Sequence, residues 1–133
     1  MTQDKELLLK DLSARLLYGI KFPMMCWDEE TGETVKPVTL YSINKDGYCH
    51  VSEDNYSPHI DEIKPYLFPL SSMTDEQKDE YHNTCNVGLN RWGEEVYYDS
   101  DESIDWLNAH HFDYRRLIEK SLALDATNLG IYE

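Results

Sequence analysis

Residues Val38 to Val51 read V-T-L-Y-S-I-N-K-D-G-Y-C-H-V, and this stretch decides the fold. Val38 to Ile43 is rich in residues that favour strands, Asn44-Lys45-Asp46-Gly47 supplies turn chemistry, and Tyr48 to Val51 returns. Asn and Asp side chains bond their own backbone in turns, and glycine takes the positive φ that closes one. The reading is a β-hairpin. Upstream, Ile20, Phe22 and Met24 alternate with Lys21 and Pro23. This predicts a strand that Pro23, which has no N–H, confines to a sheet edge. Asp28 to Thr34 and Glu53 to His59 read as polar loops, and Pro65 and Pro69 leave room only for a short strand around Tyr66 to Phe68. Short strands with turn signals about every 8–12 residues predict a small, bent antiparallel sheet, an SH3-like partial barrel.

Helices flank this sheet. Over residues 3–17, Leu8, Leu12 and Leu16 recur at helical spacing with Leu9 on their flank, Thr2 or Asp4 offers a cap, and Gly19 lies just past the end. Thr74-Asp75-Glu76-Gln77 matches a capping box and predicts a helix over about 74–86. Asn86 to Gly93 reads as a loop and Glu95 to Tyr98 as one more strand. Ser100 or Asp101 caps a helix through Asn108, and a further helix is expected from Asp113 to Lys120 with Leu117 and Ile118 inward. The tail DATNLGIYE reads as a polar arm. The class is therefore α+β: an N-terminal helix, the small sheet and a C-terminal helical segment. The division falls at Ser71-Ser72, with a helix-plus-sheet domain over 1–70 and a helical extension over 71–133 packed on it.

The 133 residues are 41% hydrophobic and carry a formal charge of −14. Asp plus Glu against Lys plus Arg is 12 to 7 in residues 1–70 and 14 to 5 in residues 71–133. That field opposes nucleic acid and anionic lipid, since no basic patch is present to neutralise phosphate, and it favours a basic partner surface. No apolar run approaches the roughly 18–20 residues of a membrane span. The opening MTQDKELLLKD does not read as a secretory signal. Cys26, Cys49 and Cys85 are odd in number and widely spaced, unlike a disulfide framework or a metal knuckle. The expected location is cytoplasmic.

Most candidate chemistry reduces to structure. His110-His111 pairs imidazoles near Asp105 and Asp113, but adjacent helical residues point about 100° apart, and metal ligands on helices sit at i, i+4. A helix-capping role fits better. His82 and Cys85 with Cys49 and His50 would make a Cys₂His₂ zinc set only if the fold brought them together. Asp99-Ser-Asp101-Glu-Ser103 starts like a calcium loop but has Ile104 at the sixth position, where glycine is required, and His110 at the twelfth, where glutamate is. There is no G-x-S-x-G and no phosphate-cradling glycine loop. No cofactor is expected, and a metal-dependent enzyme using His82, His110 or His111 is a minor alternative.

Aromatic and acidic residues interleave in the second half of the chain. Trp92, Glu94, Glu95, Tyr97, Tyr98, Asp99, Asp101 and Glu102 form the candidate partner-binding surface, whereas Trp106, Phe112 and Leu117 are expected in a core. Two segments carry a family resemblance: Asp61 to Thr74, DEIKPYLFPLSSMT, and Ile104 to Tyr114, IDWLNAHHFDY, continued by Leu117-Ile-Glu-Lys120 and Leu122-Ala-Leu124. Together with Lys10 to Lys21 they resemble a family of small, uncharacterised proteins of phages and mobile elements in gut anaerobic bacteria. The chain departs from that pattern at Arg116 and Ser121, where the resemblance leads one to expect glycine. The resemblance implies a cytoplasmic, phage-borne accessory protein and brings no catalytic residues. The function expected is a non-enzymatic interaction module with a basic protein partner, in its sharpest form a mimic of DNA; a structural or assembly component of a phage is the alternative.

Overall fold

The computed structural model describes residues 2–30, 32–52 and 57–133. Helix α1 spans Gln3–Arg15, where Thr2 Oγ1 accepts the Lys5 N–H at 3.2 Å. A 3₁₀ turn over Leu16–Tyr18 follows and stops at Gly19, whose φ of 69° a residue without Cβ adopts freely. Leu8 and Leu12 are buried as their spacing requires. So are Asp11 and Arg15, both fully buried, which an apolar pattern does not mark.

Strands β1 (Lys21–Asp28), β2 (Gly32–Ile43) and β3 (Cys49–Val51) form an antiparallel sheet in the order β1-β2-β3. β1 lies at the edge, and Pro23 faces Pro37 in the register. The loop expected over Asp28 to Thr34 is shorter than its polarity suggests. Pairing continues through Cys26 opposite Thr34 and Trp27 opposite Glu33, so β2 already starts at Gly32. At the far end, Asn44 Oδ1 accepts the N–H groups of Asp46 and Tyr48, each at 3.0 Å, and Gly47 donates to the Asn44 carbonyl at 3.0 Å. Gly47 has φ 88°, and a Cβ there would sit 2.8 Å from His59 Nε2. Residues 53–56 of the second polar loop lie outside the described residues.

β4 (Tyr66–Pro69) forms where expected, yet it does not close on the meander. It pairs in parallel with β7 (Phe112–Asp113) on one side and β8 (Leu124–Asp125) on the other. The partial barrel is therefore not completed within residues 1–70. Leu117 and Ala123 join Leu8, Leu12, Phe22, Leu40 and Val51 in one buried cluster, which spans the expected division at Ser71-Ser72. The tail is also more than an arm. Tyr132 donates to the Tyr66 carbonyl at 2.7 Å, accepts the Lys21 N–H at 3.0 Å, and stacks on His111 at 3.7 Å.

Helix α2 (Asp75–Thr84) begins with the reciprocal Thr74–Gln77 capping box, and α3 (Asp101–Ala109) begins at Ser100. Met73, Leu107 and Phe112 make a second buried cluster, with Trp106, Tyr81 and Ile104 packed against it. The helix expected over residues 113–120 does not form. The buried Asp113 carboxylate instead accepts the N–H groups of Leu117 at 2.8 Å and Ile118 at 2.9 Å. Arg116 and Ser121, both at φ 60°, turn the chain out of helical geometry. These are the two positions where the resemblance leads one to expect glycine, the residue that takes such a φ without strain.

Candidate functional site

The stretch 86–98, half of which reads as loop, is a second hairpin. β5 (Asn86–Leu89) pairs antiparallel with β6 (Glu95–Tyr98), with Asn86 opposite Tyr98 and Leu89 opposite Glu95. Its turn repeats the first one atom for atom. Asn90 Oδ1 accepts the N–H groups of Trp92 at 2.9 Å and Glu94 at 3.0 Å, Gly93 donates to the Asn90 carbonyl at 3.0 Å, and Gly93 has φ 80°. The shared signature Asn-x-x-Gly was available in the sequence. It is disguised because Arg91 and Trp92 occupy the middle positions, which Lys45 and Asp46 fill in the first turn.

This hairpin presents apolar surface instead of burying it. Val87, Leu89, Trp92, Tyr97 and Tyr98 are each at least 45% exposed. Strand alternation puts Val87, Leu89, Glu95 and Tyr97 on one face and Gly88, Val96 and Tyr98 on the other. On the first face, the His82 ring of α2 stacks flat on Tyr97 at 4.1 Å. On the second, the Tyr98 ring crosses Gly88, where a Cβ would lie 2.8 Å from it. Trp92 stands at the turn with the Arg91 guanidinium 4.6 Å over its ring.

Acids surround it. Glu94 and Glu95 are exposed at the turn end of β6, and Asp101 and Glu102 are exposed in the first turn of α3, where the helix dipole favours them. Asp99 is tied down: it accepts the Tyr81 hydroxyl and, at 3.0 Å, the Ser103 hydroxyl. Burial, reinforced by that bond, holds the Tyr81 phenol above its ordinary pKa. Of the eight candidate residues, Trp92, Glu94, Glu95, Tyr97 and Tyr98 thus belong to the hairpin. Asp101 and Glu102 open the next helix, and Asp99 fastens the two to α2. Val87 and Leu89 join the site from outside the expected set, because Asn86 and Gly88 interrupt the strand pattern around them.

The metal candidates are dispersed. His82 and Cys85 lie at the end of α2, and Cys49 and His50 lie on β3, where His50 meets Tyr41 edge-on at 5.8 Å. Among the described residues no three His, Cys, Asp or Glu side chains group around a common point. His110 ends α3 with its ring 4.2 Å from Trp106. His111 is buried at φ 63°, and burial, then the nearby Arg15, His110 and Lys21 charges, lower its pKa to about 4. Burial pushes the Cys49 thiol up to about 11, away from nucleophilic use. A cleft of about 390 Å³ lies between the start of α1 and residues 60–64 and contains the Lys5–Asp61 ion pair at 2.8 Å. No helix among the described residues is long and apolar enough to cross a membrane.

Comparison with known proteins finds no matching family model, curated protein or solved structure. The resemblance carried by residues 10–21, 61–74, 104–114, 117–120 and 122–124 therefore stands on those residues alone.

Proposed function

We propose that this protein is a non-enzymatic interaction module whose β5–β6 hairpin docks a basic protein partner. One observation carries the reading: five large apolar side chains, two of them tyrosines and one a tryptophan, stand exposed on a two-stranded hairpin bordered by Glu94, Glu95, Asp101 and Glu102. Trp and Tyr are the residues that most often anchor interfaces, because they bury large area at small conformational cost. The acids and the net charge of −14 steer a positively charged surface toward the anchors, speeding association and making it salt-sensitive. The resemblance to phage and mobile-element proteins supports a cytoplasmic accessory role, with a host or phage protein as the partner. The tagged chain serves as bait in cells that carry its gene, at about 0.05 M and about 0.5 M salt, where the Debye length shrinks to a few ångströms. Recovery of a basic protein that is lost at the higher salt supports the reading. A partner retained equally at both salts refutes its electrostatic part.

A further inference from the structure

The outer face of the β1–β2 hairpin is a second apolar surface, and its charges are arranged differently. Alternation places Lys21, Pro23, Met25 and Trp27 on this face of β1, and their cross-strand partners Thr39, Pro37, Val35 and Glu33 on β2. The opposite face sends Phe22, Cys26 and Val38 into the core. On the outer face Met25 is 57% exposed, Trp27 74% and Val35 59%, so the side chains best suited to burial stand in solvent. The middle of the stripe is uncharged. Glu33 lies at the turn end, with Glu29 and Glu30 beyond it, and Lys21 lies at the opposite end. Six residues of strand separate Trp27 from Lys21, roughly 20 Å.

We propose that a second copy of this chain packs on this face, related by a two-fold axis that lies in the interface at right angles to the strands. That operation reverses strand direction, so the Glu33 end of one copy meets the Lys21 end of the other, and the same pairing occurs twice. Met25 and Val35 of both copies meet at the centre, and each Trp27 packs near the other copy's Thr39. A two-fold axis along the strands would instead set Glu33 against Glu33. A uniformly basic partner would find acids at one end only and lysine at the other. The face is two strands wide, which limits the interface to the weak class below about 1,200 Å² in total, so the dimer forms in a concentration-dependent way. This surface is separate from β5–β6, and the proposal does not rest on the function proposed above.

Sedimentation velocity on the full chain from about 5 to about 500 µM, in 0.15 M salt to confine net repulsion to roughly 8 Å, tests it. The weight-average mass should climb from 15.6 kDa toward twice that value. Trp27→Ser combined with Val35→Thr should raise the dissociation constant about tenfold or more, and Trp92→Ala should leave it unchanged. Lys21→Glu and Glu33→Lys should each weaken the dimer, and the two together in one chain should restore it, which a folding defect would not do. A mass fixed at the monomer value up to 500 µM overturns the proposal. So does a dimer indifferent to the Trp27 and Val35 changes, or a double charge reversal that fails to restore association.

Discussion

Arg15 is the largest fully buried side chain among the described residues, and its surroundings explain how it is tolerated. Asp11, one turn earlier, accepts from Arg15 Nε at 2.9 Å and Nη2 at 3.1 Å, Arg15 Nη2 also donates to the Phe112 carbonyl at 2.6 Å, and Arg115 Nη1 reaches Asp11 at 2.9 Å. Removing one partner of such a pair leaves a charge buried without compensation. Asp11→Asn should therefore cost about 3–5 kcal/mol in denaturant unfolding, far more than an exposed pair such as Lys5–Asp61. His111 gives a pH signature. Its folded-state pKa is lowered to about 4 from an ordinary value of 6.5, so between those values the unfolded chain binds a proton that the folded chain does not. This stabilisation is complete above pH 6.5 and is lost as pH falls toward 4, by about 2 kcal/mol between pH 7.5 and pH 5. His111→Asn keeps a residue suited to φ 63° and should remove that share of the pH dependence, read as the difference between wild-type and variant unfolding curves. Leu8 and Leu12 were legible as core because they repeat at helical spacing. Asp11 and Arg15 were not, because their burial depends on residues about 100 positions away.

The β2–β3 and β5–β6 hairpins are closed by the same Asn-x-x-Gly turn, and the sequence declares one of them more openly than the other. Lys45-Asp46 inside the first turn looks like turn chemistry, whereas Arg91-Trp92 does not, and Asn86 and Gly88 are poor strand formers. The turn's hydrogen bonds need only Asn90 and Gly93. Asn90→Ala removes both side-chain bonds and should destabilise the hairpin by about 1–2 kcal/mol. Amide exchange should then quicken over residues 86–98 more than in the β1-β2-β3 sheet. The capping boxes at Thr74 and Ser100 were readable because they are local. The failed helix at 113–120 is equally local in cause, since Asp113 offers its carboxylate to two N–H groups and thereby competes with helical bonding. Arg116→Gly and Ser121→Gly relieve a left-handed backbone at some loss of unfolded-chain restriction. Each should raise stability by roughly 0.5 kcal/mol, a melting shift of about 2 °C. A loss of stability in both would contradict the backbone account.

At the scale of the whole molecule, the α+β class and the β2–β3 hairpin were legible, and the pairing of β4 was not. Alternation identifies β4 as a strand but says nothing about its neighbours. Those neighbours, β7 and β8, are two residues long and arrive from the far end of the chain. The docking of Tyr132 onto Tyr66, Lys21 and His111 is invisible for the same reason. Charge is the property that a sequence does reveal without a fold, and the structure adds where apolar surface accompanies it. Exposed aromatics at β5–β6 lie among acids, and the function proposed above joins anchoring to steering in this one element. The most direct test of that claim uses two baits side by side in cells carrying the gene: the wild-type chain and a Trp92→Ala, Tyr97→Ala variant with an unchanged melting temperature. The wild type should retain a basic protein at about 0.05 M salt, and the variant should lose most of it. Equal recovery by both baits, or recovery of the bait alone, would contradict it.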